Sequence, residues 1–158
     1  MYAQDVLGLG ASGLGLLSAA PSVGSLIASL ALASLGNFQA KGRLLLVAGL
    51  AMGVALLVYA NVPQFGLVIL FLGLAGAARN TMMVGNQTLI QVNCEDAYRG
   101  RVMAMYMMTM GLMPIGTISA GAIADAMGVS FSLSLQGGLM LAIFGALWLT
   151  RSRVRAMR

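Results

Sequence analysis

Apolar runs of about 20 residues recur along almost the whole sequence, and an α-helix needs a run of that length to cross a hydrocarbon core of about 30 Å. Five are legible: 14–35, 44–60, 63–83 continuing as helix to 92, 102–122 and 131–150. They predict an all-α polytopic membrane protein with a single transmembrane domain. Of the 158 residues only 8% are charged. A soluble domain carries roughly 25%, so this chain cannot cover itself with a soluble surface.

The connections are short and their charges are ordered. Lys41 and Arg43 lie between the first two runs, and Arg99 and Arg101 between the third and fourth. Arg151, Arg153, Arg155 and Arg158 fill the tail 151–158. The segments 61–64 and 123–130 contain no basic residue. With five alternating spans, every Lys and Arg except Arg79 falls on one side. The positive-inside rule makes that side cytoplasmic. The predicted location is the inner (plasma) membrane, multi-pass, with the C-terminus and its basic tail in the cytoplasm. The N-terminal stretch lacks the basic region of a signal peptide, its first charge being Asp5. An odd span count with the N-terminus outside leads to the expectation that one or more helices precede this chain.

Other function classes fall away. There is no histidine and one cysteine, Cys94, which leaves no cysteine zinc site and no imidazole base or ligand. No metal or cofactor is expected, and no enzyme activity. The net charge of +5 lacks the basic face with aromatics of a nucleic-acid binder. "GLGASG" (8–13) has the glycine spacing of a dinucleotide loop, but no strand precedes it and no acid follows at the required distance. "NQT" (86–88) matches a glycosylation sequon, but it falls at a cytoplasmic helix end.

The third run is unusual. Arg79 interrupts it, with no acidic residue within fifteen positions. On a helix, Arg79, Asn80, Asn86, Gln87 and Gln91 fall within one sector of about 140°. Gly73, Ala75 and Gly76 extend that face with small residues, where a neighbouring helix can approach closely. Leu67, Phe71, Leu74, Ala78, Met82 and Leu89 lie opposite and predict a lipid face. An unpaired arginine at the bilayer centre costs about 2.5–3.5 kcal/mol on insertion scales. Two readings stay open for Arg79. Either it snorkels to the inner headgroups, or it faces an aqueous cavity or an acid on another helix.

The fourth run holds six methionines between Met103 and Met113, then Pro114 with Gly111, Gly116 and Gly121 nearby. Methionine re-packs around varied apolar shapes, which suits either a broad substrate surface or lipid-facing filler. Pro114 removes a backbone hydrogen bond and predicts a kink. The glycines predict close packing or a hinge.

"NQTLIQVNCEDAYRGRVMAMYMM" and "GLMPIGTISAGAIADAMG" together resemble the last helices of the major facilitator superfamily, nearest its enterobactin-exporter-like, drug–proton-antiporter-like branch. The matching positions are Asn86, Thr88, Leu89 and Gln91, then Asp96, Arg99, Gly100, Arg101 and Val102. Pro114, Gly116, Gly121, Ala124, Asp125 and Gly128 follow. The lead-in "VLGLGASGLGLLSAAPSVGSL" resembles the stretch joining helices seven and eight. Two positions depart: Glu95 stands at the branch's proline, and Gln39 stands where the loop 35–43 should carry an acid.

The resemblance implies helices eight to twelve of a twelve-helix fold, that is, most of its C-terminal half. It further implies a secondary exporter of small apolar or amphipathic molecules working by alternating access, with the bilayer, the substrate and the N-terminal half as partners. Such a half is expected not to transport alone. Candidate cavity residues are Arg79, Asn80, Asn86, Gln87, Met107 and Pro114. Candidate cytoplasmic-gate residues are Gln91, Asp96, Arg99 and Arg101. No span places Asp, Glu or His well inside, so a proton-coupling acid is expected elsewhere. The alternative is a small membrane scaffold or assembly subunit without transport activity.

Overall fold

A computed structural model describes residues 11–35, 41–62 and 64–150. The lead-in before residue 11, Gln39, Pro63 and the arginine tail lie outside the described residues. The described part is helical: α1 (Ala11–Leu35), α2 (Lys41–Asn61), α3 (Phe65–Asn93), α4 (Asp96–Gly111), α5 (Met113–Met127) and α6 (Val129–Thr150). Five stretches are long and apolar enough to cross a membrane: Gly15–Ser34, Gly42–Asn61, Phe65–Asn93, Asp96–Met127 and Val129–Leu149. The fourth comprises α4 and α5 together.

Three connections are tighter than their sequences indicate. Only Cys94 and Glu95 separate α3 from α4. Glu95 has φ −59° and ψ 144°, close to the φ of about −65° that a proline would fix. The turn therefore keeps a proline-like backbone although the proline is absent. Only Gly128 separates α5 from α6, and its φ of 90° lies where a Cβ is strained. Its N–H donates to the Ala124 carbonyl at 2.9 Å and closes α5.

The third break is at Leu112, two residues before Pro114, rather than a kink at the proline itself. Proline supplies no N–H to the carbonyl four residues back, and its ring crowds that carbonyl. For Pro114 that carbonyl belongs to Met110. The chain responds with a tight turn in which the Leu112 N–H donates to the Thr109 carbonyl at 3.2 Å.

The helix faces in contact are built from small residues. α3 is the centre, packed on α1 along one side and on α2 along the other, while α2 in turn packs on α6. A Cβ on Gly24 would overlap the Gly73 carbonyl, and one on Gly76 would overlap the Pro21 carbonyl. The α1 and α3 backbones thus touch directly, as expected for Gly73 and Gly76. Gly53 and Gly137 do the same for α2 and α6: a Cβ on Gly137 would lie 2.9 Å from the Gly53 carbonyl. Close approach of this kind maximises van der Waals contact, the main attraction between helices in lipid.

The expected lipid face of α3 is only partly free. Ala78 is 4% exposed. It shares a heading, within about 20° at 3.6 residues per turn, with Gly85, where a Cβ would meet the Leu45 side chain at 2.7 Å. That side of α3 receives α2. The α4–α5 span behaves oppositely. Neither helix has a buried residue, and a Cβ on Gly111, Gly116 or Gly121 would meet nothing within 4 Å. The close packing expected at these glycines is absent, because this face has no partner within the described residues.

Side-chain hydrogen bonds strap the crossings. Asn80 Nδ2 donates from α3 to the Ser29 hydroxyl (2.9 Å) and the Ser25 carbonyl (3.2 Å) of α1. Asn61 Nδ2 donates from α2 to Ser134 Oγ of α6 at 3.2 Å. Ser132, 3% exposed, donates to the Ala120 carbonyl at 2.9 Å and ties α6 to α5. Interhelical bonds of this kind in a membrane average about 0.6 kcal/mol and reach about 1.7. Asn80→Ala is accordingly expected to destabilise the α1–α3 pair by about 1 kcal/mol. A fall of a few degrees in the unfolding midpoint of purified protein checks this; an unchanged midpoint would show that the strap contributes nothing.

Candidate functional site

Arg79 is the middle residue of α3, which runs from Phe65 to Asn93. At 1.5 Å per residue the guanidinium leaves the helix roughly 21 Å from either end. It points at neither of the two neighbours that clasp α3 but between them, lining cavities with Ser22 and Ser25 of α1 and with Met52 of α2. Its heading lies between theirs, so it emerges into the space that α1 and α2 leave open. Among the described residues, the single ion pair is Arg99 with Asp96 at 2.7 Å, and Arg79 has none.

Two cavities meet at Arg79. One, of about 300 Å³, lies between α2, α3, α6 and the α4–α5 break. It is lined by Arg79, Asn86 and six methionines: Met52, Met82, Met83, Met110, Met113 and Met140. The break at Leu112 delivers two of these, since Met110 ends on one side of it and Met113 begins on the other. The second cavity, of about 240 Å³, lies between α1 and α3 and is lined by Pro21, Ser22, Ser25, Gly76, Arg79, Asn80 and Met83. Arg79 and Met83 are common to both. The result is one cation between a thioether-walled space and a hydroxyl- and amide-walled one.

The structure treats the candidate cavity residues unequally. Arg79 and Asn86 line the methionine cavity. Asn80 lines the other, but both its amide contacts hold α1. Gln87 is half-buried. Met107 and Pro114 are exposed and neither lines these cavities; Met110 and Met113 do so instead. The candidate gate residues Gln91, Asp96, Arg99 and Arg101 are all exposed around the Cys94–Glu95 turn. Asp96 and Arg99 pair within the first turn of α4, one turn apart on the same face. An exposed pair like this is worth between zero and about 1 kcal/mol.

Sequence reasoning missed Met52, Met140 and the α1 serines. The signals were present. α2 and α6 each contain one methionine, and both point into the cavity that Arg79 enters. Ser18, Ser22, Ser25 and Ser29 follow a four–three–four spacing, which places them on one helix face.

The family of transmembrane secretion effectors matches the chain over residues 1–158. A macrolide efflux protein A of Streptococcus pyogenes is 33% identical over 76% of this chain and 30% of its own length. The multidrug efflux pump Tap of Mycolicibacterium fortuitum is 28% identical over 89% of the chain and 35% of its own. The staphyloferrin A transporter of Staphylococcus aureus is 29% identical over 73% and 29% respectively. The chain therefore spans about a third of the length of these relatives. No solved structure matches it significantly.

Proposed function

The chain belongs to the transmembrane secretion effector family of major facilitator transporters, and from that premise we propose that it forms most of the C-terminal half of an exporter of small apolar or amphipathic molecules. The observation that carries the reading is the methionine-lined cavity with Arg79 and Asn86 in its wall. Thioethers re-pack around different apolar bodies, and two polar groups are enough to orient a ligand that carries one polar end.

In this reading the protein sits in the plasma membrane with the Cys94–Glu95 turn and the C-terminus on the cytoplasmic side. Gln91, Asp96, Arg99 and Arg101 then stand at the inner mouth, where charge pairs that form in one conformer and break in the other bias a two-state equilibrium. Alternating access requires two halves rocking about a site between them. The broad face of α4–α5, without buried residues, leaves room for such a counterpart.

The experiment is an efflux assay on whole cells loaded with a lipophilic dye. The chain joined to, or co-expressed with, a six-helix N-terminal half of this family is expected to extrude dye when the membrane is energised. The chain alone is expected to insert and not extrude. Extrusion by the chain alone would overturn the need for a second half. Absence of extrusion from the assembled, correctly inserted pair would favour a scaffold role and sink the exporter reading.

A further inference from the structure

Resting on the exporter reading, we infer that the substrate is a monoanionic amphiphile: its carboxylate or similar anionic head is held by Arg79 and its polarizable body lies among the methionines. Arg79 enters both cavities, and no carboxylate lines either of them. The acids of the described residues are Glu95, Asp96 and Asp125. Glu95 is roughly 24 Å further along the helix axis, and Asp96 is already paired with Arg99. A guanidinium in an apolar span with no counter-ion among the described residues is a site for an anion brought from outside. Its planar fork matches a carboxylate with two parallel charge-assisted hydrogen bonds.

The neighbours sharpen the assignment. Both of Asn80's amide contacts are made to α1, and the Ser25 hydroxyl donates to the Ser22 carbonyl at 2.8 Å. The charge for an anionic head therefore comes from Arg79. Ser22 and Asn86 flank it, one in each cavity, as uncharged hydrogen-bonding groups. A cationic ligand would meet the guanidinium with no acid to offset it, and that repulsion is itself a specificity device. Each cavity alone, about 240 and 300 Å³, falls at or below the small end for a drug-sized ligand. Arg79 and Met83 stand in the wall of both. Thioethers favour aromatic edges, so an aromatic body suits the methionine wall while Arg79 in that same wall holds the anionic head.

The test uses the full chain in nanodiscs of zwitterionic lipid and two probes with one fluorophore and opposite charge, dansylglycine and dansylcadaverine. The expected result is that dansylglycine binds about tenfold more tightly, as a charge-assisted pair predicts. Arg79→Gln is expected to bring the two probes within about twofold of each other, whereas Arg79→Lys keeps most of the preference as a point charge. A competition on the unaltered protein needs no variant: 2-naphthoate should displace dansylglycine about tenfold better than its neutral amide. Equal displacement, equal or tighter binding of the cationic probe, or an anion preference surviving Arg79→Gln each overturns the inference. The exporter reading fails separately. Extrusion of cationic dyes without anion preference keeps it and sinks the inference; anion-selective binding without extrusion by the assembled pair does the reverse.

Discussion

Gly76→Leu is expected to abolish the folded bundle, while Gly66→Leu, ten residues earlier on the same helix, is expected to be tolerated. The difference follows from what each Cβ would meet. At Gly66 there is nothing within 4 Å; at Gly76 even a methyl group would overlap the Pro21 backbone. A flexible side chain could swing aside, but a helix backbone cannot. Overpacking a core with a few methylenes usually costs about 1–3 kcal/mol. Here the whole of α1 must retreat, and α1 has no other extensive contact among the described helices. The expected loss is therefore above that range, and it takes the Asn80 strap with it. The measurement is the yield of monodisperse protein after detergent extraction and its unfolding midpoint. Normal yield and midpoint for Gly76→Leu would mean that α1 does not sit against α3 as described. Collapse of Gly66→Leu would show a general intolerance of α3 rather than a specific crossing.

Arg79→Ala, placed in the complete transporter, is expected to lower export by tenfold or more with little change in expression. A hydrogen bond to a charged group is worth about 1.5–3 kcal/mol, and each 1.4 kcal/mol is about tenfold in rate or affinity. Expression should hold because Arg79 has no ion pair among the described residues, so its removal orphans no partner among them. Membrane insertion should improve if anything, since the charge is costly there. Asn80→Ala provides the contrast, costing stability through the lost strap and leaving selectivity intact. Undiminished export by Arg79→Ala at equal protein level would remove Arg79 from the transport site and return it to a structural or headgroup-contacting role.

Much of this organisation was legible in the residues, and the exceptions share a cause. The runs over 14–35 and 44–60, the long third helix and the break near Pro114 follow from span length and from proline's missing N–H. The RGRV segment at 99–102, which lies in α4, and the polar end of α3 pointed to the major facilitator transporters, the family to which the chain belongs. The small residues Gly73 and Gly76 announced a close crossing because only glycine lets backbones touch. Yet Ala78, on the face expected toward lipid, is buried, and Gly111, Gly116 and Gly121, where close packing or a hinge is expected, show no close packing among the described residues. Glycine and alanine mark where a helix can be approached, and cannot say which of several helices approaches.

By itself, then, the sequence determined that five segments are long and apolar enough to cross a membrane and that α3 carries a polar stripe, because each depends on how one helix meets water or hydrocarbon; the fourth segment begins at Asp96 rather than at 102. The tertiary structure decided which stripe residues face a cavity. It put Asn80 against α1 and left Arg79 between α1 and α2. It also gathered Met52 and Met140, far apart in the chain, with Met110 and Met113 around that arginine. The physical reason is that an apolar side chain is as well accommodated by lipid as by another helix. Hydrophobic pattern therefore specifies that a segment lies in the membrane and is nearly silent on its neighbours. Only packed backbones and the few interhelical hydrogen bonds choose those.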